Sequence, residues 1–365
     1  MQITSTEIYK YAIPMVPFTI ATGTMHFAQN IFIRIHTDES ITGVGECSAF
    51  PMIVGETQNT CFEMAKEFAS IFKGKDPLNI DERLNELDLF TAGNHTAKSA
   101  FDLALYDIAA KKAEMPLYAF LGGKKKIIES DLTIGIGTPE NMAEQAIHFI
   151  EKGVTKIKVK LGKDPSTDIK RISSIRAKIG NAAKIRIDAN QGWTYDDAVF
   201  ALTELGKHDI EFCEQPMRTW DDEHLPKLCS ISPIPIMADE SVYNHFDAQR
   251  LINNKACKYI NIKFAKSGGI NEAKKIIQVA EKNNIECMMG GMLESRLALT
   301  AKVHFASSFE SIKFYDLDTC LLGHKIDPVI NGVQYDGMKL LLSDDHGIGA
   351  DVSNEYLNTL ESITI

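Results

Sequence analysis

Apolar and polar positions alternate over the first fifty residues, in QITSTEIYKYAI, NIFIRIHT and ESITGVGECSAF, which is the period of half-buried antiparallel strands. Helical spacing replaces it in TCFEMAKEFASIFKG and in the Ala-rich HTAKSAFDLALYDIAAKKAEMPLYAFLGG, which stops at Pro116 or at the Gly122-Gly123 pair. Strands first and helices second predict an α+β capping unit over residues 1–125. After Lys126 the texture changes to eight short apolar segments, SDLTIGIG, TKIKVKL, KIRIDAN, IEFCEQP, IPIMADE, YINIKFAK, ECMMGG and SIKFYDLD. Amphipathic stretches such as DIKRISSIRAKIG and GGINEAKKIIQVAEKNN separate them. The alternation predicts an α/β fold, a (β/α)7β TIM-type barrel over 126–319, with its site at the C-terminal strand ends. Residues 320–365 abandon the pattern for short strands and turns. They are expected to pack back on the capping unit and complete it.

One strand of the barrel has an unusual second face. In TKIKVKL, Ile157 and Val159 point one way while Lys156, Lys158 and Lys160 point the other. In isolation this is a solvated edge strand. Inside a barrel the apolar pair packs outward on helices, and Lys158 and Lys160 face the mouth. The polar residues that end successive strands are Lys160, Asp188, Glu214, Asp239, Lys263 and, after an apolar strand ending near Gly290, Asp316. One charged residue arrives per βα unit of roughly 25 residues, so all of them share one mouth.

Composition narrows the function classes. The 365 residues are 44% hydrophobic and 24% charged, ordinary for a globular protein with a sizeable core. Lys and Arg number 39 against 49 Asp and Glu, and the only compact basic run is Lys124–Lys126, which argues against broad nucleic-acid binding. No segment reaches the roughly 18 apolar residues of a membrane span, and the N-terminus lacks a signal-peptide core, so a cytoplasmic location is expected. The seven cysteines are scattered without a C-x-x-C pair, the pattern of reduced core residues.

Asp188, Glu214 and Asp239 each read alone as a solvated strand end or a helix cap. Their common phase changes that reading. Three carboxylates crowded at one barrel end repel unless a cation neutralises them, and an all-oxygen donor set favours Mg2+, with Mn2+ able to substitute. Lys160 and Lys263 end the second and sixth strands, opposite each other in a ring of eight. A lysine acting as a base must fall by roughly 2 to 3 from about 10.4, or about 3 to 4 kcal/mol against its charged form. The divalent ion, the neighbouring Lys158 and exclusion of water all push that way. Lys158 can equally be a counter-ion to one of the acids.

The motifs KVK, DANQGW, EQP, ADES, NIK and SGGI, with the Ala-rich helix before YAFLGG, resemble the enolase superfamily, muconate-lactonizing subgroup, over essentially the whole chain. The resemblance implies that Asp188, Glu214 and Asp239 bind Mg2+, which holds a substrate carboxylate and stabilises an enediolate. It implies that Lys160 and Lys263 are the two acid/base groups, with Asn190 and Glu240 supporting the ligands. Asp316 and Asp318 in FYDLDT resemble the Asp-x-Asp of dipeptide epimerases that binds the substrate α-ammonium. In isolation this pair is also a common strand-end turn. Thr133 and Glu294 are further substrate-binding candidates, together with Lys158.

In relatives the capping loops, here Phe18–Phe27 and Cys47–Glu56, set specificity. Epimerases acting on Ala-Glu resemble one another in an arginine of the first loop, whereas PFTIATGTMHFAQ holds neither Arg nor Lys, with Gly23 at that position. An uncharged or hydrophobic dipeptide is therefore expected, inverted at its C-terminal residue, with Phe18, Met25, Phe27 and Ile53 lining the pocket. A homo-oligomer is expected from the relatives. An o-succinylbenzoate synthase or muconate cycloisomerase on the same scaffold stays open, and a silent binding barrel is the remaining alternative. Neither anionic substrate carries an ammonium to meet Asp316 and Asp318.

Overall fold

The computed structural model describes residues 1–365. Its first strands, Ile3–Ile20, Gly23–Thr37 and Thr42–Ser48, form an antiparallel sheet. The strict alternation of the second strand sorts its side chains between two cores. Ile31, Ile33 and Ile35 pack on the helices Gln58–Phe72 and His95–Lys112, while Phe32 joins the main core of the molecule. The last strand, Ser362–Thr364, pairs with Glu7–Tyr9 and widens the cap to four strands. Arg34 of the second strand also donates to Asp351 Oδ1 (3.0 Å) and Val352 O (2.7 Å), so the tail completes the capping sheet as expected.

Eight parallel strands follow in sequence order: Leu132–Ile134, Lys156–Lys160, Lys184–Asp188, Ile210–Glu214, Ile236–Ala238, Tyr259–Ile262, Glu286–Gly290 and Ile312–Asp316. The first and eighth carry no mutual ladder. Single bonds close the gap, from Asp131 N to Tyr315 O (3.1 Å) and from Leu317 N to Ser130 Oγ (2.8 Å). No helix is long and apolar enough to cross a membrane.

Period-two alternation builds the barrel interior in layers. Ile157, Val159, Ile185 and Ile187 belong to the main core with the outer helices. Facing inward, Phe212, Met237, Met288 and Phe314 form a small separate core. Arg186 lies 5.3 Å from both the Phe212 and Phe314 rings, its charge met by Asp131 at 2.8 Å and Glu211 at 2.6 Å. This plug makes the barrel a packed body with a floor. One residue pair further along each strand comes the charged layer, in register: Lys160 beside Asp188, Asp188 beside Glu214, Gly290 beside Asp316.

Candidate active site

The strand ends bring the sequence-predicted charges together. Lys160, Asp188 and Glu214 are the last residues of the second, third and fourth strands; Asp239 and Lys263 directly follow the fifth and sixth. Lys160 Nζ lies 2.6 Å from Asp188 Oδ2, and Lys263 Nζ 2.7 Å from Asp239 Oδ2. Asn261 donates to Glu214 Oε1 at 2.8 Å. That asparagine needs Gly290 beside it, because a Cβ there would stand 2.3 Å from Asn261 Oδ1. Gln215 accepts from Asp239 N (2.9 Å) and Ser241 N (3.2 Å), which ties the fifth strand end to the fourth.

Burial and like charge govern the acids. Burial pushes Glu214 up to about 8, with Asp188 adding to the rise and Lys158 opposing it. Burial also works against ionised Asp239, but Lys263 and Lys266 overcome it and hold that carboxyl well below its usual range. Glu240 is pushed up to about 7 by burial and by Asp239, and neither of its oxygens has a partner. Glu214 Oε2 and Asp239 Oδ1 touch ammonium groups at 2.6 Å yet accept no hydrogen bond in suitable geometry. An all-oxygen set of buried acids with free lone pairs fits a hard divalent ion.

The second acidic group is tighter. Asp131, Asp316 and Asp318 bring one oxygen each within 4.8 Å of one another, closer than Asp188, Glu214 and Asp239, which have lysines between them. By distance alone, Asp131, Asp316 and Asp318 are the closer trio for a metal. Cations meet both groups: Asp131 is paired with Arg186 (2.8 Å) and Asp316 with Lys158 (2.7 Å), as Asp188 is with Lys160 (2.6 Å) and Asp239 with Lys263 (2.7 Å). Burial opposes ionised Asp316, yet Lys158 and Lys160 hold it down to about 2. Asp318 has no cation. It accepts only from Thr133 N at 2.7 Å, and burial with Asp316 and Asp131 drives it well above its ordinary value. An incoming ammonium would neutralise it.

A single cavity collects Lys160, Lys263, Asn190, Thr133, Asp316 and Asp318, with Phe18 and Ile53 from the cap. Asp188, Glu214, Asp239 and Glu240 are buried outside its lining, and four of the expected substrate contacts also sit elsewhere. Lys158 is fully buried beneath the wall, 2.6 Å from Glu214, 2.7 Å from Asp316 and 3.2 Å from Asp188; it is a counter-ion rather than a substrate contact. Glu294 turns away to Lys302 and to Met292 N, while Gly291, Met292 and Leu293 before it line the cavity. Met25 pairs across the hairpin with Phe18 but is packed in the core behind it. Phe27 is 52% exposed and pairs with Pro14, next to a register shift between Pro14 and Phe18.

The structure also differs on the sign of one lysine. Lys263 is held above its ordinary value: burial lowers it, but Asp239 and Glu214 outweigh burial. A divalent ion among the same carboxylates would cancel the attraction that keeps the proton on. Sequence reasoning missed Asp131, Lys266 and Asn261. Lys266 stood in view, one short helical turn after Lys263 in NIKFAK, where its approach to Asp239 at 2.6 Å follows from the turn.

Eight parallel strands under an antiparallel cap, with lysines and carboxylates converging at their C-terminal ends, define an enolase-type capped barrel. The chain belongs to the mandelate racemase / muconate lactonizing enzyme family: residues 3–122 match that family's N-terminal domain, and residues 141–356 match the enolase C-terminal domain-like family. It is 42% identical to the D-Ala-D/L-Ala epimerase of Cytophaga hutchinsonii, over 100% of each chain. It is 38% identical to the hydrophobic dipeptide epimerase of Enterococcus faecalis, over 91% of this chain and 94% of that one. The crystal structure of the Cytophaga hutchinsonii dipeptide epimerase complexed with Mg and the dipeptide D-Ala-L-Val superposes with a TM-score of 0.98, at 42% identity and full coverage of both chains.

Proposed function

We propose that this protein is a Mg2+-dependent dipeptide epimerase that inverts the α-carbon of the C-terminal residue by two-base proton transfer. The observation that carries the reading is the cavity itself. Two lysines from opposite strands share it with Asp318, a buried carboxyl lacking a cation. Lys160 and Lys263 remove the α-proton on one face and return it on the other. Asp318, with Asp316 beside it, takes the substrate ammonium, and Thr133 holds the Asp318 carboxyl in place through its backbone N–H. Asp188, Glu214 and Asp239 hold the metal, with Asn190 and Glu240 adjoining. The ion supplies positive charge to the substrate carboxylate while the proton is off. The Mg-containing structure of the Cytophaga hutchinsonii enzyme supports this reading. The functional division follows residues 1–125, 126–319 and 320–365.

Uncharged or hydrophobic dipeptides are preferred. The apolar lining of the cavity is Phe18, Ile20, Phe50, Ile53, Met292, Leu293 and Leu322, with no cation from the cap. At the hairpin, Gly23 abuts Met52, and even a Cβ there would stand 2.9 Å from its Sδ. The test is a dipeptide library incubated with protein and Mg2+ in D2O, with α-deuterium read by mass. Expected is incorporation into neutral dipeptides, faster for L-Ala-L-Phe than for L-Ala-L-Glu; absence of exchange throughout refutes the activity, and faster Glu turnover refutes the preference.

A further inference from the structure

Helix Arg296–Ser308 is buried all the way from Leu297 to Ser307, and Lys302 stands in the middle of that stretch. Its Nζ donates to Gly290 O at 2.9 Å and to the carboxylate of Glu294, and lies 6.0 Å from the Phe264 ring centre. Glu294 is buried as well, and its other oxygen accepts from Met292 N at 2.6 Å. Both side chains are sealed from solvent, and neither lines the cavity. Two charges enclosed in this way add little stability, since a well-packed apolar pair of similar volume commonly folds as well or better. The pair calls for another reason, and its hydrogen bonds supply one.

Those bonds fix the segment that follows the seventh strand. Beyond the grip of Lys302 on Gly290 and of Glu294 on Met292, Met292 O accepts from Thr319 Oγ1 at 2.7 Å and Leu293 O from Asn30 Nδ2 at 3.0 Å. Thr319 directly follows Asp318 in the chain, so a line of hydrogen bonds runs from the helix through Glu294 and Met292 to the turn that carries Asp316 and Asp318. The approach there is close: a Cβ on Gly291 would stand 3.1 Å from both Asp316 O and Thr319 Oγ1. Gly291, Met292 and Leu293 line the same cavity as the two aspartates. We infer that Lys302 and Glu294 form a positioning pair, which holds Gly291–Leu293 against the Asp316–Asp318 turn and so sets the affinity for the substrate's amino end. The inference rests on the epimerase reading for what Asp318 binds. Neither residue touches the substrate; both act through the backbone between them, as the supporting layer of a preorganised site does.

The test sets stability against affinity in two variants, using deuterium exchange into L-Ala-L-Phe with Mg2+ in D2O. Glu294→Leu combined with Lys302→Met removes both charges together with the bond to Met292 N. Expected is a urea midpoint near wild type, a KM about tenfold higher and a kcat within about threefold. Glu294→Gln keeps an oxygen for Met292 N but leaves Lys302 without a counter-charge. Expected here is a lower urea midpoint with KM within about threefold of wild type. KM following stability in both variants, or an unchanged KM in the folded double variant, overturns the inference. Should the double variant fail to fold, Glu294→Gln decides: KM near wild type supports the positioning role, and a rise of about tenfold overturns it. Calorimetric titration of the Mg2+-loaded protein with L-Ala-L-Phe separates this inference from the reading it rests on. Binding by wild type without exchange, weakened about tenfold in the double variant, means that the epimerase reading fails and the positioning role stands. No binding by wild type overturns both.

Discussion

Four lysines meet the same acids at two depths of the barrel mouth, and their surroundings separate them. Lys160 and Lys263 line the cavity, each with one short contact to a carboxylate, at 2.6 and 2.7 Å. Lys158 and Lys266 lie below the wall, sealed from solvent. Lys158 touches three acids, and those acids outweigh burial to hold it well above its usual value. A residue type therefore carries no role of its own here. An ammonium with one partner and an open side can exchange its proton with a ligand, whereas one enclosed by three carboxylates can only neutralise them.

The widest gap between the two depths is expected in catalysis. Replacing Lys160 or Lys263 by Ala should lower epimerisation at least about 10³-fold, with a smaller loss of urea stability than at Lys158, because Asp188 and Asp239 keep Lys158 and Lys266 as partners. Each single variant should still wash deuterium into one epimer only, and loss of exchange into both from either variant would break the two-base assignment. The floor should respond in stability. Lys158→Met leaves buried carboxylates uncompensated and should cost about 3 to 5 kcal/mol in urea unfolding, the usual penalty for removing one partner of a buried pair. A stability loss below about 1 kcal/mol would place Lys158 with the wall lysines instead.

Asp318→Asn sharpens the contrast from the acidic side. Removing a buried carboxyl without a cation should leave the fold as stable or more so, yet raise KM for dipeptides about 10- to 100-fold, since the ammonium loses its counter-charge. An unchanged KM would favour an anionic substrate and the cycloisomerase alternative.

The smallest expected effect lies at the seam of cap and barrel, where Glu46 is buried with hydrogen-bond donors alone. It accepts from Asn30 Nδ2 (2.7 Å), Ser295 N (2.8 Å) and Ala298 N (3.1 Å). Burial pushes it from 4.5 up to about 7, with the Ser295 bonds opposing. A carboxyl raised in the folded state contributes stability that is full below the unfolded value and is lost as pH rises through the folded one. Urea stability should accordingly fall by on the order of 2 kcal/mol between pH 4.5 and 7.5 through this group. Glu46→Gln should flatten that slope, and an unaltered slope would assign the dependence elsewhere.

The legible part of the site was the part written in strand phase. DAN, EQP and ADES could be placed on one mouth because each ends a strand of a repeating βα unit, and Lys158 and Lys160 shared a face because strand side chains alternate. Glu294 and Phe27 were misplaced for the opposite reason. Glu294 lies in a loop after a strand, which has no period, and Phe27 sits beside a register shift where the strand's alternation breaks, so both side chains go where local packing sends them.

By itself the sequence determined the order of elements, the barrel with its cap, and which charged residues would stand at the C-terminal strand ends. These follow from periodicities of 2 and 3.6 residues that any stretch of chain carries locally. Only the tertiary structure decided which lysines face the cavity and that Asp131 and Lys266 join the charge network. Those facts depend on through-space distances across the closed ring, where burial and Coulomb energy between residues far apart in the chain select the partners.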